Sequence, residues 1–287
     1  CGLIASGGII APIIPPSITM IIYALQDSNV SVGGLFVAGV LPGIAISIAM
    51  CAVNFYVSRK RGYRSMEVRP SLKEMVANTL YAVPALALIV IVVGGIRFGY
   101  FTPTEASVIA VFYALFCGMF IYRSLKLTHL PDIIFRSAII TTGILLILAS
   151  ARAFAWVLIN EGVPQFLAEV IVGWNLSPIV FLLAVNLLLL VFGMFMDPLP
   201  GVMILVPILA PIALQLGVDP IQFAMIVILN LTIGLITPPV GALLFVVSAV
   251  VKIRVSEITR EMAPFLLAYL VILGLVTFIP AISTWLP

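Results

Sequence analysis

Two stretches of this chain, Ile179 to Met196 and Pro264 to Pro280, run through mostly apolar residues without one charge. Each approaches the roughly 20 residues that an α-helix needs to cross the hydrocarbon core of a bilayer. A soluble protein with a large apolar core is excluded by composition. Of the 287 residues, 63% are hydrophobic and 9% charged, against roughly 45–50% and about 25% in soluble domains. A membrane β-barrel would show alternating segments of about ten residues, whereas these runs are continuous. The expected class is an all-α integral membrane protein, with the lipid bilayer as its first partner.

The net charge of +3 does not point to a nucleic acid, and no such partner is expected. The basic residues gather in the links between apolar spans, chiefly Ser58 to Arg69 and Arg123 to Arg136, where the positive-inside bias puts them. Cys1, Cys51 and Cys117 form no CxxC pair and lie in apolar surroundings, which implies neither a metal site nor a disulfide framework. His129, the one histidine, sits in a polar link and reads as a surface residue. The chain opens without methionine, already inside apolar sequence and with no signal peptide, and reads as the later part of something longer.

Spans are expected near Leu35–Val57, Thr79–Arg97, Thr104–Tyr122, Ser137–Asn160, Ile179–Met196, Val202–Leu216 and Met262–Trp285. The turn FGYFTPTE joins the second and third. With both basic links facing the cytoplasm, that turn lies outside. Glu161 to Pro178 carries Pro, Glu and Trp in a stretch too short to cross, and reads as an interfacial helix.

Two further stretches, Gly2 to Leu25 and Asp219 to Val251, are apolar but interrupted, and they repeat each other. IIPPSITMIIYA, Ile13 to Ala24, resembles LITPPVGALLFVV, Leu235 to Val247. Pro42 follows Pro16 by 26 residues, and Pro264 follows Pro239 by 25. Proline lacks the backbone donor and clashes with the preceding turn. Pro15-Pro16 and Pro238-Pro239 therefore stop a helix where backbone groups are tolerated only in protein or beside a watery cavity. Each stretch reads as a re-entrant hairpin, with tips at Ile13–Pro16 and Thr237–Gly241; a pair of kinked ordinary helices is the alternative.

Paired broken elements in corresponding halves point to the binding site of a secondary transporter, because helix ends and unwound carbonyls meet anions and cations near the midplane. Candidate ligands beside the breaks are Ser6, Gly7, Gly8 and Ser17 in the first, and Asn230, Thr232, Gly234 and Thr237 in the second. Their oxygens suit a hard cation such as sodium, although single Ser and Thr residues in membrane helices commonly serve packing alone. Two charges stand in apolar surroundings: Asp197 at a Pro-broken join, and Arg152 within Ile139 to Ile159. A charge at membrane depth is a functional candidate by default. Asp197 reads equally as a helix cap, and Arg152 either snorkels to headgroups or pairs with a substrate carboxylate.

Together GLIASGGIIAPIIPPSITMIIYA, LFVAGVLPG, GYFTPTEASVIAVFYAL, GMFMDPLPGVMILVPILAPIA, LGVDPIQFAMIVILNLTIGLITPPVGALLFV and REMAPFLLAYLVIL resemble the large membrane subunit of the tripartite ATP-independent periplasmic (TRAP) transporters. The likeness covers the whole chain and corresponds to the later two-thirds of that subunit. It implies an inverted-repeat, elevator-type secondary transporter, sodium-coupled and without other cofactors, in the bacterial inner membrane. It also implies a small membrane subunit and a periplasmic substrate-binding protein as partners, and an organic acid, C4-dicarboxylate or sialic acid, as substrate.

On this likeness residues 1–30 are the first hairpin of a transport domain, 31–78 a scaffold arm and basic link, and 79–136 a helix pair. Residues 137–251 are transport helices with the second hairpin at 219–251, and 252–287 a second arm. Ser6 to Ser17 and Asn230 to Gly241, Gly241 included, correspond to the hairpins that bind sodium and substrate. Sodium falls to Ser6, Gly8, Asn230, Gly234 and Thr237. An ATP-driven pump would carry a GxxxxGK[ST] loop, and a hydrolase HExxH or GxSxG; neither is present, so no enzyme is expected. Another sodium-coupled anion symporter with hairpins, or an ion channel built on re-entrant loops, are the remaining alternatives.

Overall fold

A computed structural model describes residues 2–63, 71–173 and 177–287. All regular structure among them is helical. Among the described residues, seven helical stretches are long and apolar enough to cross a membrane: Val32–Lys60, Leu72–Arg97, Pro103–Ile121, Leu127–Asn160, Pro178–Phe195, Pro198–Gln215 and Val255–Phe278. The protein is a multi-pass membrane protein, and many Leu, Ile and Phe side chains of these helices are exposed, as lipid-facing residues are. Trp174, Asn175, most of the first basic link and Cys1 lie outside the described residues.

The chain divides into two compact units, residues 1–57 with 147–287, and residues 58–146. In the first, α1 (Gly2–Gly8) and α2 (Ile18–Gln26) flank the first Pro-Pro, followed by α3 (Val32–Ala38) and α4 (Val40–Lys60). After the second unit come α8 (Val163–Gly173), α9 (Pro178–Phe195), α10 (Pro198–Gln215), α11 (Pro220–Gly234), α12 (Ala242–Val251), α13 (Val255–Phe278) and the single turn α14 (Ala281–Thr284). The core of this unit is α11, every residue of which from Gln222 to Gly234 is buried. It packs on α9, α10 and α13, while α2 packs on α10 and α1 on α13. A helix apolar on all sides and buried on all sides is the expected centre of a bundle.

Polar side chains join these helices where water cannot. Asn186 on α9 donates to the Thr277 hydroxyl at 3.0 Å and accepts from Asn230 on α11. The Gln222 amide donates to the carbonyls of Val276 and Thr277, at 3.1 and 2.9 Å, which lack helical partners at the end of α13. The Tyr269 hydroxyl on α13 donates to the Ser6 carbonyl on α1 at 2.8 Å.

In the second unit α5 (Leu72–Arg97) packs against α6 (Pro103–Phe116). Both start at a capping box, Ser71 with Glu74 and Thr102 with Glu105, so the first orphan amides of each helix are satisfied reciprocally. The Tyr113 and Tyr122 hydroxyls donate to the carbonyls of Pro84 and Tyr81 on α5, at 2.7 and 2.9 Å.

Several expected boundaries move for identifiable reasons. The box at Ser71 starts α5 seven residues before Thr79. The expected span near Leu35 is two helices, α3 and α4, because Pro42 offers no N–H to the Ala38 carbonyl. The basic link Arg123 to Arg136 is largely helix: a short 3₁₀ turn, Leu127–His129, leads into α7 (Leu130–Asn160), where Asp132 and Arg136 pair at 3.0 Å. Pro131 at the second position of α7 costs no helical bond. The expected last span ends at Phe278, two residues before Pro280.

Candidate functional site

The two repeated stretches break in the same way. At the end of α1, Ile9 and Ile10 donate three residues back, to Ser6 and Gly7, at 3.4 and 3.2 Å. The helix tightens and stops at Gly8, because Pro12 cannot donate to the Gly8 carbonyl and disfavours helix at the residue before it. The chain restarts at Ser17, whose hydroxyl donates to the Pro12 carbonyl at 2.6 Å and accepts from Met20 N–H at 3.3 Å. After α11, Leu235, Ile236 and Thr237 likewise donate three residues back, at 3.2, 3.1 and 3.0 Å. Gly241, at φ 55°, then turns the chain into α12 while its N–H donates to the Met194 carbonyl at 3.1 Å. That φ is open to glycine at little cost. Both Pro-Pro bonds are cis.

A third break separates α9 from α10. Asp197 caps α10, its Oδ1 accepting from Leu199 N–H at 3.0 Å, so the helix-cap reading of this residue holds. The carboxylate also offsets the positive end of α10.

The first break, the α9–α10 join and the end of α11 line one pocket of about 330 Å³. Ala11, Pro12, Pro16, Ser17, Ile18 and Thr19 line it from the first break, Asp197, Pro198 and Leu199 from the α9–α10 join, and Leu235 from the end of α11. Of the residues expected at a site, Pro16, Ser17 and Asp197 therefore meet. Pro15 is buried beneath them, and Gly7 and Gly8 close α1, where a Cβ on Gly8 would lie 3.0 Å from Leu243 of α12. Pro238 and Pro239 are exposed at the second break.

Others serve inside helices. The Ser6, Thr232 and Thr237 hydroxyls donate to the carbonyls of Leu3, Ile228 and Ile233, at 3.0, 2.6 and 2.8 Å. Their remaining lone pairs can still take a cation. Asn230 is fully buried, and its Oδ1 has no hydrogen-bond partner among the described residues, an arrangement suited to a hard cation or a water. Gly234 lies against the backbone of Gly193. Arg152 is not among the pocket residues. Its Nη2 donates to the Leu25 carbonyl at 3.0 Å, in the last turn of α2 and about 10 Å along the helix from its start.

Thr19, Asn186 and Thr277 were not legible as site or network residues. Asn186 had a signal, being the one strongly polar side chain of an otherwise apolar run. Thr19 had only its place, two residues beyond Ser17.

Residues 1–282 match the family model described as "Tripartite ATP-independent periplasmic transporter, DctM component". The chain belongs to the DctM family. Among relatives, the C4-dicarboxylate TRAP transporter large permease protein of Pseudomonas aeruginosa is 43% identical over the whole chain, which spans 66% of that protein. The sialic acid TRAP transporter large permease protein of Vibrio cholerae is 38% identical over the whole chain and is likewise spanned over 66% of its length. The 2,3-diketo-L-gulonate TRAP transporter large permease protein of Escherichia coli is 37% identical over 97% of the chain, which covers 65% of it. This DctM-family chain thus spans about two thirds of each of these relatives, which are named as permeases and not as enzymes.

Proposed function

We infer that the chain carries the substrate-moving part of a sodium-coupled uptake system for organic acid anions of the C4-dicarboxylate or sialic acid type. The observation that carries this reading is one pocket lined by the first Pro-Pro break, the Asp197 join and Leu235, which closes α11 just ahead of the second Pro-Pro. Such a site joins helix N-termini, which favour anions, to backbone and side-chain oxygens, which favour a hard cation. The names of the relatives support the substrate class.

In this reading α1–α2 and α11–α12 are re-entrant hairpins of an inverted repeat. Sodium ordering the breaks through Ser6, Gly8, Asn230, Gly234 and Thr237 assembles the anion site from Ser17, Asp197 and the tips. Residues 1–30 and 137–251 then shift as a transport domain past scaffold arms at 31–78 and 252–287. The whole permease works in the bacterial inner membrane with a small membrane subunit and a periplasmic substrate-binding protein, as the family's tripartite name suggests.

Uptake of labelled C4-dicarboxylates and sialic acid into proteoliposomes holding the full membrane complex tests the reading. Accumulation is expected only with an inward sodium gradient and the binding protein present. Passive flux that needs neither would overturn it.

A further inference from the structure

We propose that the polar face of α2 lines a water-filled, cation-selective path between Asp27, at the far end of that helix, and the pocket. The path is argued from the helix alone; the sodium-coupled reading above enters only in naming the ion that would use it.

Helix α2 has two unlike faces. Ile18 and Leu25, seven residues apart, are exposed and turn one face outward. Thr19, Tyr23, Gln26 and Asp27 stand at successive spacings of four, three and one, and so share a different face. Thr19 lines the pocket. Tyr23 and Asp27 are buried beyond it, and Ser28 and Asn29, which follow, are exposed. The distance from Thr19 to Asp27 is about 12 Å along the helix.

This face carries polar atoms that the protein leaves unsatisfied. Tyr23 is 0% exposed, and its hydroxyl has no hydrogen-bond partner among the described residues. The same holds for both Oε1 and Nε2 of Gln26, which are buried. Unpaired groups of this kind are costly away from water. A phenol and an amide each offer a donor and an acceptor, and water answers both at once. Polar side chains at membrane depth that face a protein interior mark ion pathways.

Asp27 gives the path its sign. Its Oδ1 accepts from the N–H and Nδ2 of Asn29, at 3.0 and 2.9 Å, and it forms no ion pair among the described residues. A carboxylate between low-dielectric walls concentrates cations and turns anions away. Arg152 does not cancel it from the same face. Its guanidinium meets the Leu25 carbonyl, and Leu25 lies about 160° around the helix from Tyr23.

Cysteine accessibility in the purified full-length permease complex, with native cysteines replaced by alanine, tests the path. Tyr23→Cys is expected to react with aminoethyl methanethiosulfonate, a small cation. Phe36→Cys, at a likewise buried aromatic position on α3, should not, which controls for the cavity that either substitution leaves. The anionic sulfonatoethyl reagent should modify Tyr23→Cys about tenfold or more slowly, once each rate is divided by that reagent's rate with a free thiol. Asp27→Asn can still accept from Asn29 and should bring that ratio to about one. A Tyr23→Cys rate no faster than that of Phe36→Cys, while the exposed Ser28→Cys reacts, overturns the proposal. So does an equal rate for the two reagents, or a preference unchanged by Asp27→Asn. Where Tyr23→Cys fails to fold, a high-resolution map of the unsubstituted complex decides. Ordered water beside the Tyr23 hydroxyl and the Gln26 amide is expected, and a dry hydroxyl bonded to protein overturns the proposal. None of these measurements needs sodium-driven uptake, so a failure of uptake overturns the transport reading alone.

Discussion

A Cβ built on Gly234 would lie 2.2 Å from the carbonyl carbon of Gly193 and 2.4 Å from its Cα. Nothing flexible stands there to give way, so α9 and α11 would have to separate along the most buried seam of the bundle. Gly234→Ala is expected to cost about 1–3 kcal/mol or more, the range for overpacked cores, and to lower the thermal unfolding midpoint of the purified permease in detergent. A midpoint equal to wild type would mean that the helices are not so closely apposed. Asn186 and Asn230 give a second prediction of opposite logic. The Asn230 amide donates to Asn186 and to the Ile226 carbonyl, so Asn186→Leu leaves one buried N–H without an acceptor and should destabilise by about 1–3 kcal/mol, whereas adding Asn230→Leu removes that group and should recover part of the loss. Unfolding midpoints of the two single variants and the double variant decide it. A double variant as unstable as the sum of the singles would deny the pairing.

Among the elements, α2 is held at both ends by different means. Ser17 caps its start, and Arg152 of α7 donates to the Leu25 carbonyl near its end, where a cation complements the helix dipole by roughly 0.3–1 kcal/mol. Arg152→Ala should therefore lower stability by about 1 kcal/mol, with Arg152→Lys retaining part of it. Affinity for the transported acid, read by calorimetry, should be unchanged; a large loss of affinity at unchanged stability would return Arg152 to the role of carboxylate partner. Neither role was separable from sequence, because the contact joins residues 127 positions apart.

The spans themselves were legible, since length and hydropathy act along the chain. So were the two breaks, since proline acts on its own turn. Starts such as Ser71 and Thr102 are written in the sequence as S/T-x-x-E patterns, a local signal that hydropathy does not carry. The convergence of Pro16, Asp197 and Leu235 on one pocket was not legible, because it depends on α2 lying along α10 and on how α11 fills the bundle.

For the molecule as a whole, the two breaks are expected to act as one device, because Pro12, Pro16 and Ser17 of the first line one pocket with Leu235 at the edge of the second, and Gly8 of the first stretch lies beside Leu243 of the second. Replacing Pro238-Pro239 with Ala-Ala returns the missing N–H donors and lets helix continue through the tip. Pro15-Pro16 to Ala-Ala does the same in the first stretch. Either change should reduce sodium-driven uptake in proteoliposomes to the level of empty liposomes while membrane insertion and yield stay near wild type. Groups that work as a unit are non-additive, so the variant with both pairs replaced should be no worse than either alone. Uptake that falls stepwise, with each single variant partly active and the double inactive, would mean that the two breaks serve separate sites. Uptake at the wild-type rate in both singles would mean that the breaks are kinks in ordinary spans.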